Sequence, residues 1–66
     1  MTISDRIREL RRKRGISQEE LAEQLGISRQ AVSKWESGAS DPSPTNLTAL
    51  ADLFETTPED ILKEIR

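Results

Sequence analysis

The apolar positions of this 66-residue chain recur in short stripes at helical spacing, each bounded by turn residues. Ile3, Ile7 and Leu10 share one face of a segment from Ile3 to Arg14, and Gly15 stops it. Its basic last turn suits the negative end of a helix dipole. Ser17-Gln18-Glu19-Glu20 is a capping box that opens a second helix. That helix carries Leu21, Ala22 and Leu25 and ends at Gly26. Ser28 caps a third helix, with Val32 and Trp35 three apart, and Gly38 ends it. After the turn-rich ASDPSP loop, Ser43 as cap and Pro44 at the first helical position start a fourth. Its stripe is Leu47, Leu50, Ala51 and Phe54. Thr57-Pro58-Glu59-Asp60 repeats that start for a fifth helix, whose apolar residues are Ile61, Leu62 and Ile65. β-branched residues are few and sustained alternation is absent, so no strand is predicted. The pattern predicts an all-α fold, five short helices in one compact unit.

Size and composition narrow the chemistry. Residues 1–66 read as one domain, with a modest core, because a chain this small buries only about 60% of its unfolded surface. There is no Cys and no His, which excludes a disulfide framework, Cys/His metal sites, and thiol or imidazole catalysis. Tyr is absent too, and there is no glycine-rich phosphate loop. The many carboxylates therefore have no partners for an activated constellation, and neither an enzyme nor a metal or cofactor is expected. No apolar run approaches the roughly 20 residues needed to cross a bilayer, and MTISDRIREL does not read as a signal peptide. The expectation is a soluble cytoplasmic protein with no membrane partner.

The net charge of −2 is unevenly spread. Residues 1–14 sum to +4, and residues 15–66 to −6. An acidic total permits nucleic-acid binding where the contacting face is locally positive, with weaker non-specific affinity than a basic protein has.

Residues 18–38 carry the most information. Two helices this short cannot cover each other, so both their stripes must close on a third element. The outward face of the second of them is Ser28, Arg29, Gln30, Ser33 and Lys34. Arg can pair bidentately with guanine, and Gln with adenine, in the major groove. The segment reads as a helix-turn-helix with a base-reading second helix. Any surface helix has a polar face, so composition alone does not separate this reading from a solvated helix.

Residues 6–62 resemble the Xre-type helix-turn-helix family, the group of the phage lambda-like repressors and Cro. The matching residues are Leu10-Arg11, Gly15-Ile16-Ser17-Gln18, Glu20-Leu21-Ala22, Leu25-Gly26-Ile27-Ser28, Val32, Trp35-Glu36, Gly38, Pro42, Leu47, Leu53-Phe54 and Ile61-Leu62. The resemblance implies a five-helix lambda-repressor-like fold. Leu21, Leu25, Ile27, Val32 and Trp35 form the buried set that builds the reader. Ala22 is small where two helices cross, and Gly26 supplies a turn whose left-handed backbone costs glycine least.

The resemblance also implies roles. Arg29, Gln30, Ser33 and Lys34 would contact bases. Gln18 and Ser28 would contact phosphates, with Ser43, Thr45 and Asn46 as neutral phosphate contacts. Arg11 and Glu36 would form a partly buried ion pair that fixes the recognition helix on its scaffold. Arg12-Lys13-Arg14 reads instead as a solvated helix end. One departure stands out: the loop 39–43 holds Asp41 and no basic residue. The acidic Glu55, Glu59, Asp60 and Glu64 are expected to face away from DNA.

The function implied is sequence-specific binding of double-stranded DNA by a transcriptional repressor, acting as a homodimer on a palindromic operator. Phe54, Leu62 and Ile65 would supply the dimer surface or simply core. No small-molecule ligand is expected, and regulation would come through abundance, partners or operator competition. The alternative is a helical protein-interaction module, antitoxin- or adaptor-like, with weak or no DNA binding. The acidic balance and Asp41 favour that alternative; Gln18, Arg29, Gln30 and Lys34 favour DNA.

Overall fold

The computed structural model describes residues 1–63, in which the chain forms five α-helices and no strand. They are α1 (Ile3–Arg14), α2 (Gln18–Leu25), α3 (Arg29–Ser37), α4 (Pro44–Leu53) and α5 (Pro58–Leu62). Glu64 and Ile65 lie outside the described residues.

None of these helices is long enough to be stable alone, so their ends matter. Ser17, Ser28, Ser43 and Thr57 each accept the backbone N–H three residues on, as the sequence predicts. Thr2 does the same for α1, and the Asp5 carboxylate returns the bond to the Thr2 N–H at 3.1 Å. This second capping box was not predicted; its signal is Thr-x-x-Asp in place of the usual Glu or Gln. Gly15, Gly26 and Gly38 close α1, α2 and α3 in the left-handed conformation. The turn after α4 is built differently: Phe54 caps it and Glu55 carries the left-handed φ of 57°.

The core is Ile7, Leu21, Ala22, Val32, Trp35, Leu50, Ala51 and Ile61, with every helix contributing. α3 packs against both α1 and α2, and α5 closes the other side against α1 and α4. Burying one such Leu or Ile contributes about 1.5–3 kcal/mol. Two predicted core residues sit at its edge. Leu25 and Ile27 are only partly buried, because they flank the tight α2–α3 turn, where the chain reaches solvent. Leu47 and Phe54 likewise pack partly buried against the core, and Leu62 is 44% exposed.

The basic end of α1 also differs from expectation. Arg14 is not simply solvated: its guanidinium donates to the Leu53 carbonyl at the end of α4 and lies 5.9 Å from the Phe54 ring centroid. Arg6 pairs with Glu9 at 2.7 Å and reaches Asp60 at 3.6 Å, tying α1 to α5.

The left-handed Glu55 makes one prediction. A non-glycine residue in that conformation costs roughly 1–2 kcal/mol, while glycine adds freedom to the unfolded chain. Glu55→Gly should therefore raise stability by up to about 1 kcal/mol, read as a higher urea midpoint with an unchanged slope. A lower midpoint would show that the Glu55 side chain contributes more than its backbone costs.

Candidate nucleic-acid interface

The candidate interface is built on a buried carboxylate. Glu36, in the last turn of α3, is only 4% exposed. A buried charge survives only with a full set of donors. Arg11 Nε donates to Glu36 Oε2 at 2.7 Å, and Arg11 Nη2 to Glu36 Oε1 at 3.0 Å. This is the bidentate fork that suits a carboxylate. The remaining Arg11 nitrogen, Nη1, donates to the Ile16 carbonyl at 2.9 Å, so one guanidinium also holds the α1–α2 connection. Gln18 Nε2 donates to Glu36 Oε1 at 3.2 Å. Arg8 Nη2 donates to the Glu36 backbone carbonyl at 2.5 Å, and its Nε lies 4.0 Å from Oε1.

Burial alone would push the Glu36 carboxyl up. The hydrogen bonds from Arg11 and Gln18, with the charges of Arg11 and Arg8, outweigh it and hold the group below the ordinary glutamate value. The hydrogen bond to Glu36 in turn raises the Arg11 guanidinium above its ordinary value, against the opposing effect of burial. Arg8 was not among the predicted residues. Its signal was available: Ser4, Arg8 and Arg11 follow helical spacing and share one face of α1.

With α3 fixed through its inner face, its outer face is free. Val32 and Trp35 point into the core, while Arg29, Gln30 and Lys34 are exposed and Ser33 is half-buried. Among the described residues neither Arg29 nor Lys34 has an ion-pair partner. Glu19 and Glu23 of α2, however, line the same shallow depression as Arg29, so carboxylates stand closer to this face than the order of residues along α3 suggests.

The predicted phosphate contacts fall at three helix starts. Gln18 is the first residue of α2, half-buried and already bonded to Glu36. The Ser28 hydroxyl accepts the Ala31 N–H at 3.2 Å, and the Ser43 hydroxyl accepts the Asn46 N–H at 3.2 Å. Each keeps its own O–H as a donor. Thr45 is exposed and Asn46 half-buried in the first turn of α4. Among the described residues no hydrogen bond links this turn to the outer face of α3. Nor does any cluster of His, Cys, Asp or Glu there fit a metal ion, and no helix is long and apolar enough to cross a membrane.

Comparison with known proteins adds to this geometry. The helix-turn-helix family model matches residues 7–61. An HTH-type transcriptional activator of Enterococcus faecalis, BcrR, is 39% identical over 62 residues, which is 94% of this chain and 30% of that protein. The solution structure of the DNA-binding domain of the P22 C2 repressor is similar with a TM-score of 0.90 and 34% identity, covering 97% of this chain and 84% of that one. The crystal structure of the P22 c2 repressor in complex with a synthetic operator gives a TM-score of 0.87 and 35% identity, covering 96% of both chains. The chain spans between 30% and 50% of the length of the first curated relatives it matches.

The buried pair predicts a large and reversible effect. Glu36→Ala should cost about 3–5 kcal/mol, because Arg11, largely withdrawn from solvent, then loses its carboxylate partner. Arg11→Met combined with Glu36→Leu should recover much of that loss in the same urea melt. A loss below about 1 kcal/mol would mean the pair behaves as a surface pair. The pH dependence has a definite sign. A carboxyl depressed in the folded state contributes stability that is present above its unfolded value, about 4.3, and is lost as pH falls through the lower folded value. Melts from about pH 6 down to pH 3 should show this acid limb in the native protein and a shallower one in the double variant.

Proposed function

The chain belongs to the helix-turn-helix family of Xre and lambda-repressor-like DNA-binding transcriptional regulators, and from that premise we propose that it binds a specific double-stranded sequence and represses transcription as a homodimer. The observation that carries this reading is the outer face of α3. Its exposed Arg29, Gln30 and Lys34 are long hydrogen-bonding side chains without ion-pair partners among the described residues, on a helix anchored by a buried ion pair. In this reading α3 lies in the major groove, with Arg29, Gln30, Ser33 and Lys34 reading base edges. Gln18, Ser28, Ser43, Thr45 and Asn46 hold phosphates and set the register. The operator complex of the similar P22 c2 repressor supports the choice of DNA as partner.

A single module reads a short half-site with modest affinity, so two copies on a palindrome, about one helical turn apart, complete the reading. The half-exposed Leu62 lines a largely apolar depression with Ile3, Pro42 and Leu47, with Asp41 at the same depression, and this is the surface we assign to the dimer contact. Phe54 is drawn partly inward under Arg14 and contributes less. The protein would act in the cytoplasm, with no cofactor.

Two measurements test this. Fluorescence anisotropy with a labelled duplex selected from a random pool should show binding that falls steeply from about 50 to 300 mM salt. If Arg29 and Lys34 with the helix starts of each subunit neutralise about two phosphates, the log–log slope for a dimer is roughly −3 to −4, from about −0.9 per phosphate. A flat response, or no binding at micromolar protein in low salt, would promote the protein-interaction alternative, to which Asp41 and the Glu19/Glu23 pair would then belong. On the selected site, Gln30→Ala should cost about 1–3 kcal/mol and relax preference at one base position, leaving random DNA unaffected. An equal loss on both duplexes would make Gln30 a backbone contact.

A further inference from the structure

The Glu36 carboxylate has more donors than its ion pair needs. Arg11 already gives it the two hydrogen bonds of a complete fork, yet Gln18 adds a third to Oε1 from a different helix, 18 positions away in the chain. We propose that Glu36 is a positioning residue for Gln18: it fixes the rotamer and the amide orientation of Gln18 before DNA arrives. The inference rests on the DNA-binding reading above and deepens it.

An ionised carboxylate can only accept, so it is met by the amide nitrogen of Gln18 and never by its oxygen. An unrestrained glutamine at a helix start could turn either end outward. With its oxygen outward, it would set one acceptor against another at a phosphate. With one N–H held by Glu36, the amide keeps its second N–H as a donor. The backbone N–H groups of the first turn of α2 add to it, since a helix start has donors without intrahelical partners.

Ordering matters as much as orientation. A glutamine side chain loses considerable rotamer freedom when fixed, and a bond formed in the free protein removes that loss from the binding step. Glu36 is suited to the task because it is itself buried and held from both ends. It is 4% exposed, clamped by Arg11, and its backbone carbonyl is held by Arg8. One buried group thus sets both the seating of α3 and the side chain at the start of α2.

A thermodynamic cycle on DNA binding tests this, together with a spectroscopic readout on the free protein. Gln18→Ala should weaken binding to the selected duplex about tenfold, as expected for one hydrogen bond to a charged group. In the Arg11→Met/Glu36→Leu background, the same change should weaken it by less than about twofold, because Gln18 is no longer held there. Equal losses in both backgrounds would overturn the proposal while leaving DNA binding intact. In the free native protein, the Gln18 side-chain amide should show a high order parameter and one N–H proton shifted downfield of a free glutamine. That shift should move with the protonation of Glu36 on acidification. A mobile amide with no such titration would also overturn it, whether or not the variants fold. If the native protein binds no duplex, the DNA reading fails with the proposal, and an ordered amide then records only a structural bond.

Discussion

A carboxylate withdrawn from water must be met by donors from wherever the chain can supply them, and Glu36 draws them from two neighbouring helices. Arg11 of α1 and Gln18 of α2 donate to the carboxylate carried by α3, and Arg8 of α1 donates to the backbone carbonyl of the same residue. α3 is thereby tied to both of its neighbours at one point, near its C-terminal end. The apolar contacts of Val32 and Trp35 supply burial, but dispersion and the hydrophobic effect are non-directional and tolerate sliding. A bidentate fork does not. The arrangement gives α3 a defined angle on its scaffold, the property that a helix placed in a groove needs.

The rest of the molecule compensates for having only short helices. Each start is capped by a side-chain hydroxyl, and two are closed by reciprocal capping boxes. Caps contribute about 1 kcal/mol each and leave few backbone donors stranded. Long-range arginine contacts then do at the periphery what the small core cannot do alone. Arg6 reaches Asp60, and Arg14 reaches the last carbonyl of α4. Four of the six basic residues of the first fourteen are thus engaged in seating other helices.

That finding relocates the electrostatics of the interface. The positive contribution to DNA would come from Arg29 and Lys34 on α3 and from helix starts, moderated by Glu19 and Glu23 beside Arg29. Such a face favours contacts that depend on geometry over bulk attraction, consistent with an acidic total of −2. Specificity would then rest on side chains held in place before binding, the role proposed above for the cluster around Glu36.

The sequence by itself determined the helices and their limits. Ser17, Ser28, Ser43 and Thr57 at the starts, and Gly15, Gly26 and Gly38 at the ends, act within four residues of where they stand, so their effect is readable locally. The apolar stripes likewise identified Ile7, Leu21, Val32, Trp35, Leu50 and Ile61 as core. The ion-pair partners Arg11 and Glu36 were legible only through resemblance, since nothing local joins residues 25 positions apart. Tertiary structure alone decided that Gln18 bonds Glu36, that Arg8 and Arg14 serve backbone carbonyls, and that Leu25 and Ile27 stop at the edge of the core. The physical reason is reach. A long charged or amide side chain can serve any acceptor within several ångströms, and which one lies there depends on where the helices come to rest.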